Sequence, residues 1–382
     1  MLKTIGISAF LLSILGCSQQ NPSDFSQADL WISGQGGYHT YRIPALAVTQ
    51  DGTILAFCEG RRGGRGDSGD IDLLFKRSID QGKTWSSQQV IWSDSQNTCG
   101  NPSPVVDNKT GNVWLLMTWN RGDDTEHQII KGESKDTRRI YVTHSSDDGF
   151  TWAELQQITT FVKKQEWTWY ATGPGAGIQI EQGPNTGRLL IPCDHIEAVT
   201  EHYYSHVIYS DDNGKNWRLG GSSPKDQVNE CQVVELPEGR LMLNMRNYNR
   251  AHKNRQVTFS DDGGIIWERQ KFDSVLVEPI CQASIRRYSW QSNVQKSIIL
   301  FSNPASPNER VRMTVRASFD EAQTWPVQNI LYEGPSAYSD LAVLANNDIA
   351  CLYESGQRQP YERIVFVRFS LAWLLSQGQA KN

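Results

Sequence analysis

Long apolar runs are almost absent from this 382-residue chain. The longest, residues 5–15, is too short to cross a bilayer and follows Lys3, which is typical of an export signal. It leads into Leu15, Gly16, Cys17 and Ser18, an arrangement similar to a bacterial lipoprotein cleavage site. We expect Cys17 to become the lipidated first residue, although Leu15 is bulkier than usual there. The alternative is a plain secretory signal with a coincidental cysteine.

Runs of basic residues, paired cysteines and long helical periodicity are also missing. The net charge of −5 and the lack of a Lys/Arg cluster argue against a nucleic-acid partner. The cysteines after Cys17 contain no C-x-x-C pair and lie in apolar stretches, so we interpret them as small buried hydrophobic residues. No spacing of cysteine or histidine predicts zinc, and nothing in the sequence calls for a metal or a cofactor; a structural calcium is the alternative left open. The clearest helix is residues 370–377, where Ser370 is the predicted cap.

One short phrase occurs five times: a serine, an acid two residues later, usually a glycine two further on, and a closing tryptophan. The copies start 67, 65, 50 and 58 residues apart. Asp side chains bond to nearby backbone, glycine supplies a positive φ, and the tryptophan needs burial, so each copy is interpreted as a turn with its own packing anchor rather than a catalytic acid. The copies, called boxes below, are residues 78–85, 145–152, 210–217, 260–267 and 318–325.

A period near 60 residues, with short strands between the turns, predicts an all-β fold: a six-bladed β-propeller with four-stranded antiparallel blades. We expect a strand near residues 30–33 to pair with residues 364–369 and close the ring. The predicted organisation is a signal peptide (1–17), a polar tether (18–28) and one propeller domain (29–378).

Outside the boxes, the chain resembles the sialidases (neuraminidases), especially the bacterial-type exo-α-sialidases. Single motifs would be weak evidence, but these occur in the family's order and cover nearly all of residues 38–369. They are Tyr41-Arg42-Ile43-Pro44, Glu59-Gly60-Arg61 with Asp67, Asn229-Glu230-Cys231-Gln232, Asn244-Met245-Arg246, Phe301-Ser302-Asn303-Pro304 with Arg310, Tyr338-Ser339-Asp340-Leu341, and Tyr353-Glu354.

The resemblance implies three arginines, Arg42, Arg246 and Arg310, around the carboxylate of a sialic acid. Guanidinium groups suit this task because they bind carboxylates in a planar, bidentate way. Each arginine comes from a different repeat, as expected for a ligand on the propeller axis. Glu354 is the implied partner of Arg42. For any one arginine alone, an ordinary surface residue would be the default interpretation.

The resemblance also implies a tyrosine nucleophile, Tyr338, activated by Glu230 as base. A neutral phenol suits an anomeric carbon that already carries a carboxylate, because an anionic attacker would be repelled, and a phenol needs a base beside it. The alternatives are a core aromatic for Tyr338 and a solvated acid for Glu230. Asp67, in a glycine-rich loop, is the implied general acid, with Asp70 as the alternative.

The remaining implied pocket residues contact the sugar. Arg61 is expected at its hydroxyl face, Asn101 and Glu126 match pocket positions of the family, and Trp119 is expected on the N-acetyl side. Asp194, followed by His195, stands where animal enzymes place aromatic residues near the glycerol tail.

The expected function is hydrolysis of terminal sialic acid with net retention by an exo-α-sialidase. Alternatives are a trans-sialidase or an intramolecular enzyme giving an anhydro sugar, an enzyme for a related acid sugar without the N-acetyl group, and a non-catalytic glycan-binding propeller. The expected partners are sialylated glycoconjugates, and the chain is expected to be a monomer that touches the membrane only through its lipid. It would be an outer-membrane or cell-surface lipoprotein, or else periplasmic or secreted.

Overall fold

The computed structural model describes residues 25–377, and strands dominate this part of the chain. The predicted signal peptide, Cys17 and residues 18–24 of the predicted tether lie outside the described residues. No helix within the described part is long and apolar enough to span a membrane. The strands are β1 (Phe25–Ile32), β2 (Thr40–Val48), β3 (Ile54–Arg61), β4 (Ile71–Ser78), β5 (Gln89–Trp92), β6 (Thr98–Val106), β7 (Val113–Asn120), β8 (Arg139–Ser145), β9 (Gln156–Gln157), β10 (Trp167–Thr172), β11 (Ile178–Gln179), β12 (Leu189–Glu197), β13 (Tyr203–Ser210), β14 (Arg218–Ser222), β15 (Val228–Glu235), β16 (Leu241–Asn247), β17 (Asn254–Ser260), β18 (Glu268–Val277), β19 (Ser284–Ser289), β20 (Ile298–Pro304), β21 (Val311–Ser318), β22 (Val327–Val343), β23 (Ile349–Ser355) and β24 (Arg363–Phe369), and the helices are α1 (Glu126–Ile130), α2 (Thr159–Val162) and α3 (Leu371–Gln377).

Most strands belong to antiparallel units of four that follow one another along the chain. The sheet β15-β16-β17-β18 is one such unit, and β2 to β5 and β6 to β9 form two that are joined by a single parallel pair, Ile71 with Thr98. Inner strands of neighbouring units pack against one another: β2 lies against β6 and β22, and β15 lies against β12 and β19. The fold is therefore all-β and of the β-propeller type, with these strands innermost.

The N-terminal strand β1 completes a sheet built from the C-terminal end of the chain. It pairs antiparallel with β24, from Phe25 opposite Phe369 to Ile32 opposite Arg363. The strand begins within the predicted tether (18–28), so the tether prediction was wrong for residues 25–28. The physical reason is that Phe25 has an apolar surface to pack on, because its ring stacks beside Phe369 and Trp373.

The boxes form turns that are hydrogen-bonded internally, as the sequence predicted. In the first box, Ser78 Oγ donates to Asp80, the Gly82 amide donates to Ser78 Oγ at 2.8 Å, and the Thr84 amide donates to Asp80 at 2.9 Å. Equivalent bonds recur in the other four. The box tryptophans fill gaps between sheets: Trp85 meets Phe366 edge-on at 4.9 Å between centroids. The six cysteines of the described residues are all buried and free, which confirms their interpretation.

Strand register sets two opposite ends of the molecule. Ser78 lies in one row with Ile54 and Val48, whereas Arg42 lies at the other end of β2. The same holds for the other boxes, because Ser145 aligns with Val113 and Val106, Ser210 with Leu189, Ser260 with Leu241 and Glu235, and Ser318 with Ile299 and Arg287. We call the end that carries the five box serines the box face and the opposite end the pocket face.

Candidate active site

A cavity of about 430 Å³ opens on the pocket face, above the ends of the innermost strands. Its lining is rich in charge and comes from all parts of the chain. The expected residues among those lining it are Arg42, Arg61, Asp67, Asn101, Glu126, Asp194, Glu230, Arg246, Arg310 and Tyr338. Sequence positions almost 300 residues apart therefore share one site.

Bulges in the inner strands orient the side chains of the site towards the cavity. The pairing of β2 with β3 shifts between Arg42 and Ala45, and that of β6 with β7 shifts between Gly100 and Ser103. The same kind of shift surrounds Glu230 in β15 and Tyr338 in β22. A bulge adds a residue on one strand and rotates the following side chains. Each inner strand that carries one of these residues is thus bent where it reaches the cavity.

Arg42 is held by the buried carboxylate of Glu354. Its Nε and Nη2 donate to the two carboxylate oxygens at 2.9 and 3.3 Å. The same oxygens accept from the backbone amides of Ile43 and Tyr338. Glu354 is fully buried, so its charge is balanced entirely by these donors. One carboxylate therefore ties the β2 bulge to the strand that carries Tyr338.

Arg310 and Arg246 complete a cluster of three guanidinium groups. Arg310 Nη1 donates to the Tyr361 hydroxyl at 2.7 Å, and its Nη2 donates to the Ile280 carbonyl at 3.0 Å. The guanidinium carbons of Arg42 and Arg310 lie 4.9 and 5.7 Å from the centroid of the Tyr338 ring. Among these three arginines, only Arg310 has no carboxylate partner in the described residues. The cluster is an anion site beside a phenol.

Tyr338 and Glu230 form a direct pair. The phenol donates to Glu230 Oε1 at 2.5 Å, and Arg246 Nη1 donates to both Glu230 Oε2 at 2.5 Å and the Tyr338 oxygen at 3.0 Å. Burial and the Glu230 carboxylate raise the pKa of Tyr338 well above its ordinary value, against the opposing effect of the three arginines. The phenol is neutral at rest, with a base in position to take its proton.

Asp67 reaches the cavity from the loop between β3 and β4, whereas Asp70 does not line it. Asp67 Oδ1 lies 2.8 Å from Arg61 and 3.7 Å from Arg42, and its side chain is half exposed. Asp70 instead faces Arg62 at 3.3 Å. Burial opposes ionisation of Asp67, but the adjacent Arg61 and Arg42 guanidinium groups outweigh it and lower its pKa.

Below the loop, a buried network supports Arg61 and Asn101. Arg61 donates to Glu59 at 2.6 Å, and Glu59 accepts the Asn101 amide at 2.8 Å. Asn101 has a positive φ of 53° in the β6 bulge, and its side-chain oxygen accepts from Arg138 at 2.6 Å. Arg138 lines the cavity and lies over the Trp169 ring at 3.9 Å. This wall presents a second cationic group to the cavity, away from the three clustered arginines.

Asp194 and Glu126 line the cavity, and His195 does not. Asp194 is 1% exposed, and neither of its carboxylate oxygens has a hydrogen-bond partner within the described residues. Burial and the nearby Glu230 charge raise its pKa well above the ordinary value. Glu126 starts α1 at the cavity rim behind its cap, Thr125. His195 points to the other side of its strand, where it stacks on Trp167 at 3.5 Å.

The expectation for Trp119 was wrong. Its indole nitrogen donates to Asp94 at 2.7 Å, and the ring lies near Arg139, outside the cavity. The reason is the pleat of β7: Thr118 points inward and bonds to Asn101, so its neighbour points to the opposite face. Trp169 is the tryptophan that lines the cavity.

Known protein families and relatives match most of this chain. The BNR repeat-like domain family matches residues 52–351. A sialidase of Micromonospora viridifaciens is 33% identical over 360 residues, covering 92% of this chain and 54% of that protein. Sialidase-3 of Mus musculus is 31% identical over 391 residues, covering 87% of this chain and 91% of its own length. The chain belongs to the sialidase family.

Solved structures show the same fold in other sialidases. The Hadza microbial sialidase Hz136 superposes with a TM-score of 0.81 at 30% identity, covering 91% of this chain and 69% of that one. The intramolecular trans-sialidase of Ruminococcus gnavus superposes with a TM-score of 0.74 at 21% identity, covering 88% of this chain and 96% of that one. The chain spans a little over half of the Micromonospora protein and 61% of a Bacteroides fragilis sialidase.

Several lining residues of this site were not expected from the sequence, including one arginine and three aromatic residues that lie outside the motifs. They carry no motif: Arg138 precedes a strand, and Tyr361 sits in a loop between β23 and β24. Position in the sequence offers no signal for them because they reach the cavity only through folding. The four are Arg138, Trp169, Tyr248 and Tyr361.

Proposed function

We propose that the protein is a retaining exo-α-sialidase, which hydrolyses terminal sialic acid from glycoconjugates through a covalent tyrosyl intermediate. The observation that carries this proposal is the 2.5 Å hydrogen bond from Tyr338 to Glu230, placed among three guanidinium groups. A carboxylate on the anomeric carbon explains both features. The carboxylate requires cationic side chains to bind it, and it favours an attacking group that is neutral until it reacts.

In the proposed first step, Arg42, Arg246 and Arg310 hold the substrate carboxylate. Tyr338 Oη forms a bond to the anomeric carbon as the bond to the leaving oxygen breaks, and the phenolic proton passes to Glu230. Arg246 already contacts both groups, so it can balance the charge as the proton moves. Asp67 gives a proton to the departing alcohol. Water then attacks the anomeric carbon with Asp67 as base, the bond to Tyr338 Oη breaks, and the phenolate regains its proton from Glu230, with net retention.

The lowered pKa of Asp67 has a consequence for this role. A general acid works best when its pKa is near the working pH, and Asp67 is paired with Arg61 and Arg42, which favours its ionised form. An arriving carboxylate competes for Arg42 and adds negative charge, and both effects raise the pKa of Asp67. The bound sugar also excludes water from this half-exposed loop. Protonation of Asp67 is therefore coupled to substrate binding.

The rest of the cavity offers groups for the polar faces of the sugar. Arg61 lies beside Asp67, and Arg138 presents its guanidinium next to Asn101. Asp194 is buried, its pKa is raised, and its carboxyl oxygens have no hydrogen-bond partner within the described residues, so the group is suited to form a hydrogen bond with a substrate hydroxyl or amide. We propose these residues as contacts for the hydroxyl, N-acetyl and glycerol groups.

The decisive experiment combines product analysis with trapping of the intermediate. The protein is incubated with sialyllactose isomers, and the released sugar is identified by mass and by the anomer first seen in NMR. A 2,3-difluorinated sialic acid, which slows breakdown of a glycosyl-enzyme, should add its mass to the peptide containing Tyr338. Tyr338→Phe should lose both turnover and the adduct while keeping its melting temperature. Turnover by Tyr338→Phe at the wild-type rate would remove Tyr338 as nucleophile.

The products also separate the alternatives. An anhydro sugar would identify an intramolecular enzyme, and a new sialoside formed with added lactose would identify a transferase. No product with any sialoside, together with measurable binding, would indicate a glycan-binding propeller.

We further propose six four-stranded blades, the sixth made by β22 to β24 with β1. This count is supported by the antiparallel pairing of those strands. For location, we propose export and lipid attachment at Cys17, on the sequence argument alone. Labelling with radioactive palmitate, compared between the wild type and Cys17→Ser, tests that attachment.

A further inference from the structure

Five of the eleven large apolar side chains that are exposed in the described residues lie on the box face. Ile79 and Phe150 project from the first and second boxes with 79% and 70% of their surface exposed, and Ile265 and Ile266 project from the fourth. Val294, 95% exposed, lies in the turn between β19 and β20, whose strands end in the row of Ser318. Large side chains left in water at several separate turn tips, all on one face, need an explanation beyond the fold.

Exposed lysines alternate with these tips. Lys83 and Lys215 belong to the first and third boxes, Lys296 follows Val294, and Lys109 lies in the turn between β6 and β7, which is on the same face. The acid at the third position of each box is hydrogen-bonded within its own turn, as Asp80 is to Thr84 and Ser78. Of the further box acids, Asp211, Asp261 and Glu321 form ion pairs with arginines. Exposed apolar side chains flanked by lysines are typical of protein surfaces that lie at a bilayer interface. There the apolar groups insert, and the lysine side chains extend towards the lipid headgroups.

The chain enters the described structure on this same face. Phe25 pairs with Phe369, which pairs with Ile349, and Ile349 pairs with Val343 at the end of β22 remote from Tyr338. Ile32 instead lies in the row of Ser336, at the pocket face. From Cys17 to Phe25 there are only eight residues, which span at most roughly 29 Å when fully extended. A lipid on Cys17 would therefore keep the box face near the bilayer.

We infer that the box face rests on a lipid bilayer, with the cavity turned away from it. This orientation rests on the proposed attachment at Cys17, and it does not depend on the proposed catalytic activity. Ile79, Phe150, Ile265, Ile266 and Val294 would insert among the headgroups. The cavity would then open towards the surrounding medium, where bulky glycoconjugates can reach it without meeting the membrane.

The chain offers a matched pair of positions for the test. Ile79 on the box face and Val199 in the turn between β12 and β13 are both β-branched and are 79% and 94% exposed. Val199 belongs to the pocket face, because Ile196 pairs with Tyr203 there while Leu189 lies in the row of Ser210. All six native cysteines of the described residues are buried, so an introduced surface thiol can be labelled selectively.

Full-length Ile79→Cys and Val199→Cys are produced in a bacterial host, and their membranes are treated with a bulky, water-soluble maleimide. The parent chain gives the background from Cys17, and melting curves establish that both variants are folded. We expect the thiol of Ile79→Cys to react roughly tenfold more slowly than that of Val199→Cys in membranes, because the interface buries it. After detergent extraction the two rates should become equal.

Adding Ile265→Ser and Ile266→Ser should speed the reaction of Ile79→Cys in membranes, whereas Phe161→Ser, on α2 away from the box face, should not.

Three results would overturn the inference. Recovery of the protein in the soluble fraction would remove the attachment on which it rests. Equal rates in membranes would mean that the tether holds the domain without docking its box face. Protection of Ile79→Cys that persists in detergent would identify a protein partner as the occupant. Sialoside hydrolysis, measured on the same preparations, reports on the proposed function separately.

Discussion

Replacing Glu354 by glutamine should damage stability and substrate binding together. Glu354 is fully buried and accepts from Arg42 through both oxygens, and from the amides of Ile43 and Tyr338. In glutamine, the side-chain oxygen can still accept from two of these four donors. The side-chain nitrogen is itself a donor, and it would face the other two. Loss of one partner of a buried ion pair costs about 3–5 kcal/mol. For a domain of this size, that corresponds to a fall in melting temperature of roughly 4–7 °C.

The effect on binding follows from the position of Arg42. Without its carboxylate partner, the guanidinium is free to move away from the substrate carboxylate, and one charge-assisted contact is worth about 1.5–3 kcal/mol. We expect kcat/KM for sialyllactose to fall by about tenfold to a hundredfold, mainly through KM. Steady-state kinetics at a temperature where the variant is folded, together with calorimetry, would measure both changes.

A second buried pair is the control. Glu278 and Arg255 form an ion pair at 2.7 Å whose two side chains are also buried, and neither residue lines the cavity. Glu278→Gln should lower the melting temperature by a similar amount and leave KM within about threefold. The reasoning fails if Glu354→Gln keeps the KM of the wild type, or if Glu278→Gln raises KM equally.

Three further variants test other parts of the site. Asp67→Asn should reduce turnover of sialyllactose about a hundredfold or more and largely spare an aryl sialoside whose leaving group needs no proton; the assignment is wrong if Asp70→Asn shows this pattern instead. Arg310→Lys should raise KM about tenfold with a smaller change in kcat, because a lysine cannot bind a carboxylate bidentately; an unchanged KM would exclude Arg310 from carboxylate binding. Burial lowers the pKa of His195 to about 3, whereas the pKa of an unfolded histidine is about 6.5. Between these two pH values the unfolded chain binds a proton at His195 and the folded chain does not, so the free energy of unfolding falls as the pH falls. From pH 7 to pH 5 this amounts to about 2 kcal/mol, and His195→Gln should lose less melting temperature over that range than the wild type; equal losses would contradict the assignment.

The sequence determined those features that depend on neighbours in the chain. Each box closes through bonds between residues two and four positions apart, such as Asp80 to Ser78 and to Thr84, so the same eight residues form the same turn wherever they occur. The cap of the last helix is equally local, since Ser370 Oγ accepts from the Trp373 amide. Motif order then indicated Arg42 and Tyr338 as members of one site.

Only the tertiary structure decided which side chains face the cavity. A bulge or a one-residue change in pleat reverses the direction of a side chain, which is why Trp119 points away and Trp169 points in. Arg138, just before β8, contacts Asn101, which lies 37 positions earlier in the chain, and no local pattern encodes this contact. The choice between Asp67 and Asp70 as a lining residue was likewise made by the arginines that the fold brings beside the loop, because charge pairing acts through space and not along the chain.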